Sequence, residues 1–231
     1  MTSLMLPLRN SESRIVKIIF GALLCFFLYI VVFLIAKTYL ADKYYNRGLN
    51  KEAYGYWIEA ISLYEKALQF DSKNVDYYSQ LASLYFFRAR FPLDRDKFLL
   101  KAKDTILKGI KLCPKNGDLW LSLGMLREIW GQTPGFNAQE VIVSQLKISG
   151  SDKCQVLTPQ MFYKKAISLD PNNAFYHTVL AAYYLKKGME DEGISQVKKA
   201  ISCYDKKSHI YSYFKKMKVD EKIIKKIKAA S

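Results

Sequence analysis

The chain has 231 residues, half of them apolar and a quarter charged, a composition that fits a folded protein and excludes a disordered one. Eleven Gly and six Pro are too few for a β-sandwich full of tight turns, whereas seventeen Tyr and thirteen Phe supply large rings to fill gaps between helices. The net charge of +15 is uneven, because residues 206–231 carry nine Lys against Asp220 and Glu221. A lysine-rich genome would give the same balance, and a nucleic-acid partner is not expected.

In chain order, a short tail (1–17) carries Arg9, Arg14 and Lys17 against Glu12. Ile18 to Ala36 (IIFGALLCFFLYIVVFLIA) comes next, with no charged residue. As a helix it spans roughly 28 Å, close to the hydrocarbon thickness of a bilayer. A helix packed against a soluble core ordinarily leaves one face polar; none is polar here. A cleaved signal peptide would have a shorter core and a small-x-small site, but the next residues are KTYLADKYY. The expectation is an uncleaved transmembrane helix over 18–36, contacting the lipid bilayer, with the N-terminal tail in the cytoplasm. From Lys37 to Asn50 there is no Pro and only Gly48, so this helix is expected to run on without a break beyond Ala41.

From Ala41 onward the chain repeats itself. Small residues recur at Gly48, Ala82, Gly124 and Ala181, bulky ones at Tyr44, Tyr78, Trp120 and His177, and small ones again at Ala67, Gly109, Ala166 and Ala200. Pro114 and Pro171 close two of the units. The spacing Trp-x-x-Leu-Gly-x-x-Tyr, then Ala-x-x-x-Phe and Pro, resembles the tetratricopeptide repeat. Small residues let paired helices approach closely, bulky ones fill the space between them, and Pro stops the second helix.

The resemblance implies an all-α fold: a transmembrane helix, then an α-solenoid of four repeats over 41–207 (41–74, 75–116, 117–173 and 174–207). Insertions lie near 90–97 and 132–158; the second contains AQEVIVSQLKI, a candidate short helix or edge strand. Arg47 and Lys51 stand where Leu and Tyr are expected, Pro159 replaces a small residue and Asp205 replaces the last Pro. Over 208–231, Ile210, Tyr213, Phe214, Met217, Ile224 and Ile227 recur at helical steps opposite Lys, which predicts a basic amphipathic capping helix.

No catalytic constellation emerges. His177 holds a packing place, His209 lies in the basic tail, and no phosphate loop, His-Glu-x-x-His or Gly-x-Ser-x-Gly is present. Cys25 lies in the apolar run, and Cys113, Cys154 and Cys203 are too widely spaced for a zinc site. The chain is read as a non-enzyme with no cofactor and no metal.

The resemblance further implies a peptide-binding groove lined by the first helix of each unit: Asp42, Tyr45 and Leu49; Asp76, Ser79, Ser83, Phe86 and Phe87; Asp118, Leu121, Met125, Glu128 and Ile129; Thr178, Leu185 and Lys186. One family branch clamps a chaperone C-terminal carboxylate with Lys, Asn and Arg, but here Tyr45, Leu49, Gln80, Asp118 and Ser122 stand at those places. An acidic groove with an apolar floor predicts a basic or apolar peptide or helix as protein partner. Asp42, Asp76 and Asp118 also suit the dipole of the helices they open. The function expected is a membrane-anchored scaffold for protein–protein interaction, assembling a bacterial cell-envelope complex (secretion, pilus or polysaccharide machinery) with the repeats on the extracytoplasmic side of the inner membrane. The rivals are a membrane-bound binder of nucleic acid or anionic polymer through the basic tail, and a eukaryotic organelle receptor.

Overall fold

A computed structural model describes residues 8–130 and 158–203, with side chains from Val16 onward, and also positions 212, 214, 221, 222 and 225. It contains α1 (Leu8–Ala53), α2 (Trp57–Phe70), α3 (Val75–Arg88), α4 (Arg95–Leu112), α5 (Gly117–Trp130), α6 (Pro159–Leu169), α7 (Ala174–Lys186) and α8 (Glu190–Ser202). The expected all-α class holds, with no strand among the described residues. AQEVIVSQLKI and the rest of 131–157, Asp205, His209 and most of the tail lie outside the described residues. The chain divides into two compact units between Asn74 and Val75.

The first unit is α1 and α2. The helix α1 runs unbroken from the apolar segment into the first hairpin, as the lack of Pro and of clustered Gly between Lys37 and Asn50 led us to expect. Its character changes along its length. From Val16 to Leu40 no side chain is buried, and the richest 18-residue window has a mean hydropathy of 3.1. Ala41, by contrast, is fully buried and begins the face that packs on α2. Helix α1 ends through Gly55, whose φ of 79° places it in the left-handed region that favours glycine. The Gly55 and Tyr56 amides then donate to the carbonyls of Glu52 and Lys51, both at 2.9 Å, satisfying the orphaned helix end.

In the second unit, α3–α4, α5–α6 and α7–α8 are successive antiparallel hairpins; α4 packs on α5 and α6 on α7. The insertion near 90–97 is a short 3₁₀ turn at Pro92–Asp94 leading into α4. Pro159 opens α6, where the first-turn N–H it lacks would have had no helical partner. Asn116 and Asn173 cap the turns before α5 and α7, accepting from the amides of Leu119 and Phe175, both at 3.1 Å.

One rule governs the interior of all four hairpins. In the first, Tyr64 lies over Gly48, where an added Cβ would stand 2.6 Å from the Tyr64 Cδ1, and the Tyr64 hydroxyl donates to Glu52 at 2.6 Å. In the third, Tyr163 lies over Gly124 with the same 2.6 Å approach and donates to Glu128 at 2.9 Å. In the second and fourth hairpins, Ala82 and Ala181 replace Gly, Ile106 and Val197 replace Tyr, and Phe86 and Leu185 replace Glu, all buried. A large polar-tipped ring demands glycine beneath it and a carboxylate one turn on; a smaller aliphatic accepts alanine and an apolar neighbour.

His177 is buried, as its packing place led us to expect. Its Nε2 lies 2.9 Å from the Pro171 carbonyl, just as Trp120 Nε1 donates to the Pro114 carbonyl at 2.7 Å. The imidazole therefore stands in for an indole, tying each helix to the proline turn before it. In the tail, Phe214 is fully buried against Ala181, Ala182, Leu185, Val197 and Ala200. Ile210, Tyr213, Met217, Ile224 and Ile227 lie outside the described residues.

Candidate protein-binding face

The expected groove residues do not share one environment. In the first unit, Asp42 is exposed, Leu49 is half-buried and Tyr45 tilts against Tyr64 with ring centroids 5.5 Å apart. In the second unit, Asp76, Ser83, Asp118 and Lys186 are exposed, and Ser79, Phe87, Met125, Glu128 and Ile129 are half-buried. Phe86, Leu121, Thr178 and Leu185 are buried and belong to the core instead of to a ligand-facing surface. The reason is helical phase. Phe86 and Leu185 stand four residues after the small residues Ala82 and Ala181, on the stripe that meets the partner helix. Thr178 spends its hydroxyl on the Ala174 carbonyl at 2.7 Å.

What remains reachable on α3 and α5 is apolar and partly aromatic. Phe87 meets Phe91 edge-on at 5.9 Å and lies 6.0 Å from the Arg90 guanidinium. On α5, Asp118 and Glu128 are engaged by other helices. Asp118 accepts from the Tyr176 hydroxyl at 2.7 Å, which joins α5 to α7. Glu128 accepts from Tyr163 through one oxygen, and its other oxygen lies 3.3 Å from the Lys186 ammonium. Tyr183 closes this side, edge-on to Tyr163 at 5.7 Å. Burial, then the Glu128 charge, raises the Tyr183 pKa above its ordinary value. Tyr163, on a second helix, escapes a sequence reading confined to first-helix positions, and Tyr176 and Tyr183 fall between the positions chosen on α7; the Glu four residues after Gly124, matching Glu52 after Gly48, was the signal available for Tyr163.

The Tyr176 pKa is likewise raised, by burial first and then by its bond to Asp118. An unfolded tyrosine ionises near 10 while the folded one still holds its proton, so above about pH 10 the native state binds more protons than the unfolded state. The stability from this contact is therefore fully present below about pH 10 and is lost as pH rises beyond it. Tyr176→Phe is expected to cost about 1 kcal/mol at neutral pH through the lost hydrogen bond and to make the alkaline decline shallower. Urea unfolding at pH 7 and at alkaline pH checks both; an unchanged alkaline slope would assign the decline elsewhere.

In the first unit, Arg47 and Lys51 line an open cavity of about 560 Å³ with Tyr54, Tyr56 and Ser62. Lys51 is paired with Glu59 at 2.6 Å and lies 4.9 Å from the Tyr56 ring. Such exposed pairs contribute little to stability.

Successive antiparallel hairpins, closed by small residues and capped at asparagine turns, define a helical-repeat protein with reachable first-helix faces. Within that array, residues 162–194 match the family described as Tetratricopeptide repeat. No curated protein matches the chain. Among solved structures, the chain is similar to MamA, at 20% identity with a TM-score of 0.49, over 73% of this chain and 81% of MamA. It is also similar to TTC0263, a thermophilic TPR protein of Thermus thermophilus, at 15% identity and TM-score 0.47, over 77% of this chain and 98% of that one. A third is YrrB, described as a TPR protein with an unusual peptide-binding site, at 19% identity and TM-score 0.42, over 80% of this chain and 82% of that one.

Proposed function

We propose that this protein is a membrane-anchored scaffold that holds a protein partner on the first-helix faces of its repeats. The observation that carries the proposal is the division within α1: an exposed apolar stretch of bilayer length continues without a break into the first hairpin. An apolar surface of that size facing water would be strongly unfavourable, and a bilayer removes it. The partner segment is a basic or apolar peptide or helix, because the reachable surface of α3 and α5 offers Phe87, Met125 and Ile129 beside Asp76, Asp118 and Glu128. No chemical step is part of this reading. The excess of Arg9, Arg14 and Lys17 favours a cytoplasmic tail and repeats on the extracytoplasmic side of a bacterial inner membrane, within an envelope complex. Placement in such a complex rests on analogy between repeat arrays.

The test is crosslinking in native membranes followed by affinity purification, with Phe87→Ala, Met125→Ala and Ile129→Ala combined as the comparison. Phe86 is left intact because it is core. Partners recovered with the native chain should be lost with the triple variant, and recovery of the same set from both would remove the proposed face. Protease protection on sealed membranes reads the orientation separately. Binding through the basic tail is the competing outcome; it would be lost on neutralisation of the tail lysines and fall steeply with salt. Neutralisation is preferable to truncation, because deleting the tail would also strip Phe214 from Val197 and Ala200.

A further inference from the structure

We infer that Glu128 is the point at which this face takes a cationic side chain of its partner, and that Lys186 occupies that point in the unbound protein. The inference rests on the binding face proposed above and gives it a chemical specificity.

One oxygen of Glu128 is fixed. It accepts from the Tyr163 hydroxyl, and Tyr163 is fully buried, so the carboxylate is held in one place by the hairpin core. The other oxygen faces Lys186 at 3.3 Å, a longer contact than the 2.6 Å pair of Lys51 with Glu59. The Lys186 and Glu128 side chains remain 35% and 20% exposed, so water and an incoming cation can reach them. Tyr183 lies close enough to feel the Glu128 charge and stands edge-on to Tyr163, while Met125 and Ile129 on the same helix are half-buried. A carboxylate held rigid on one side, with aromatic and aliphatic neighbours, suits the ammonium of a lysine or the guanidinium of an arginine whose stem packs on the apolar side chains.

Lys186 comes from α7, whereas Glu128 lies in the last turn of α5. Its ammonium supplies within the chain the charge that a partner would bring. An exposed pair of this kind contributes little to stability, so it can be exchanged for an external cation. The resident lysine therefore lowers apparent affinity for basic segments and admits those that add apolar contact to the charge.

The experiment uses the full chain in neutral detergent micelles, titrated at low ionic strength with fluorescent, acetylated hexalysine amide. Lys186→Met should bind the probe about fivefold more tightly than the native chain, because an internal competitor and a like charge are both removed. Adding Glu128→Gln to Lys186→Met should abolish that gain; the Gln amide oxygen can still accept from Tyr163, so the hairpin stays closed. Equal or weaker binding by Lys186→Met, including no binding at all, would overturn the inference, as would a gain that survives loss of the carboxylate. Crosslinking in native membranes separates this failure from failure of the binding face itself. Partners lost with the Phe87, Met125 and Ile129 triple variant, together with no gain from Lys186→Met, would keep the face and remove the cation point.

Discussion

Tyr163→Ala is expected to destabilise the Val75–Ser231 unit by about 3–5 kcal/mol, a large part of the stability of a small domain. The ring is fully buried, lies on Gly124, meets Tyr183 edge-on and donates to Glu128. Truncation opens a cavity that a backbone already in contact cannot close, and releases a half-buried carboxylate from a fixed donor. Tyr163→Phe keeps the ring and should cost only about 1–2 kcal/mol. Denaturant unfolding of the full chain in micelles, monitored by helicity, distinguishes the two; equal losses would place the effect in the hydroxyl instead of the ring.

The second large effect is at the glycine beneath that ring. In Gly124→Ala the new methyl would stand 2.6 Å from Tyr163 Cδ1 and 3.2 Å from the Pro159 carbonyl oxygen. Side chain and backbone both obstruct it, and the expected cost is about 1–3 kcal/mol. The fourth hairpin shows how the chain resolves the same problem, with Ala181 under Val197. Gly124→Ala combined with Tyr163→Val should therefore cost at least about 1 kcal/mol less than the sum of the single changes. Strict additivity would mean that the two positions do not share space.

These couplings mark the limit of what could be read from the chain alone. The hairpins were legible because small residues at Gly48, Ala82, Gly124 and Ala181 recur in order with small residues one helix later, and all of these are buried. The unbroken α1 was legible from what is missing between Lys37 and Asn50, and His177 from its place in the repeat. The ligand-facing set was legible only in part. Family resemblance assigned Phe86 and Leu185 to the groove, but a helix brings residues four apart onto one stripe, and that stripe faces the partner helix. Asp118 and Glu128 read as free groove acids because their donors, Tyr176 and Tyr163, sit 58 and 35 residues further along the chain. Spacing within a repeat carries no information about such pairs; volume compensation between repeats does.

The continuity of α1 fixes orientation by arithmetic. With the apolar stretch and the first hairpin on one rod of roughly 69 Å, no swivel lies between them. Each residue added between Lys37 and Leu40 would turn the hairpin about 100° around the rod and raise it about 1.5 Å. Seven added residues would bring it back to within about 20° of its original bearing, some 10 Å higher. The compass heading at which the first hairpin stands is thus written in the number of residues between the apolar stretch and Ala41, and a partner that needs a given heading is sensitive to that count before it is sensitive to which residues make it up.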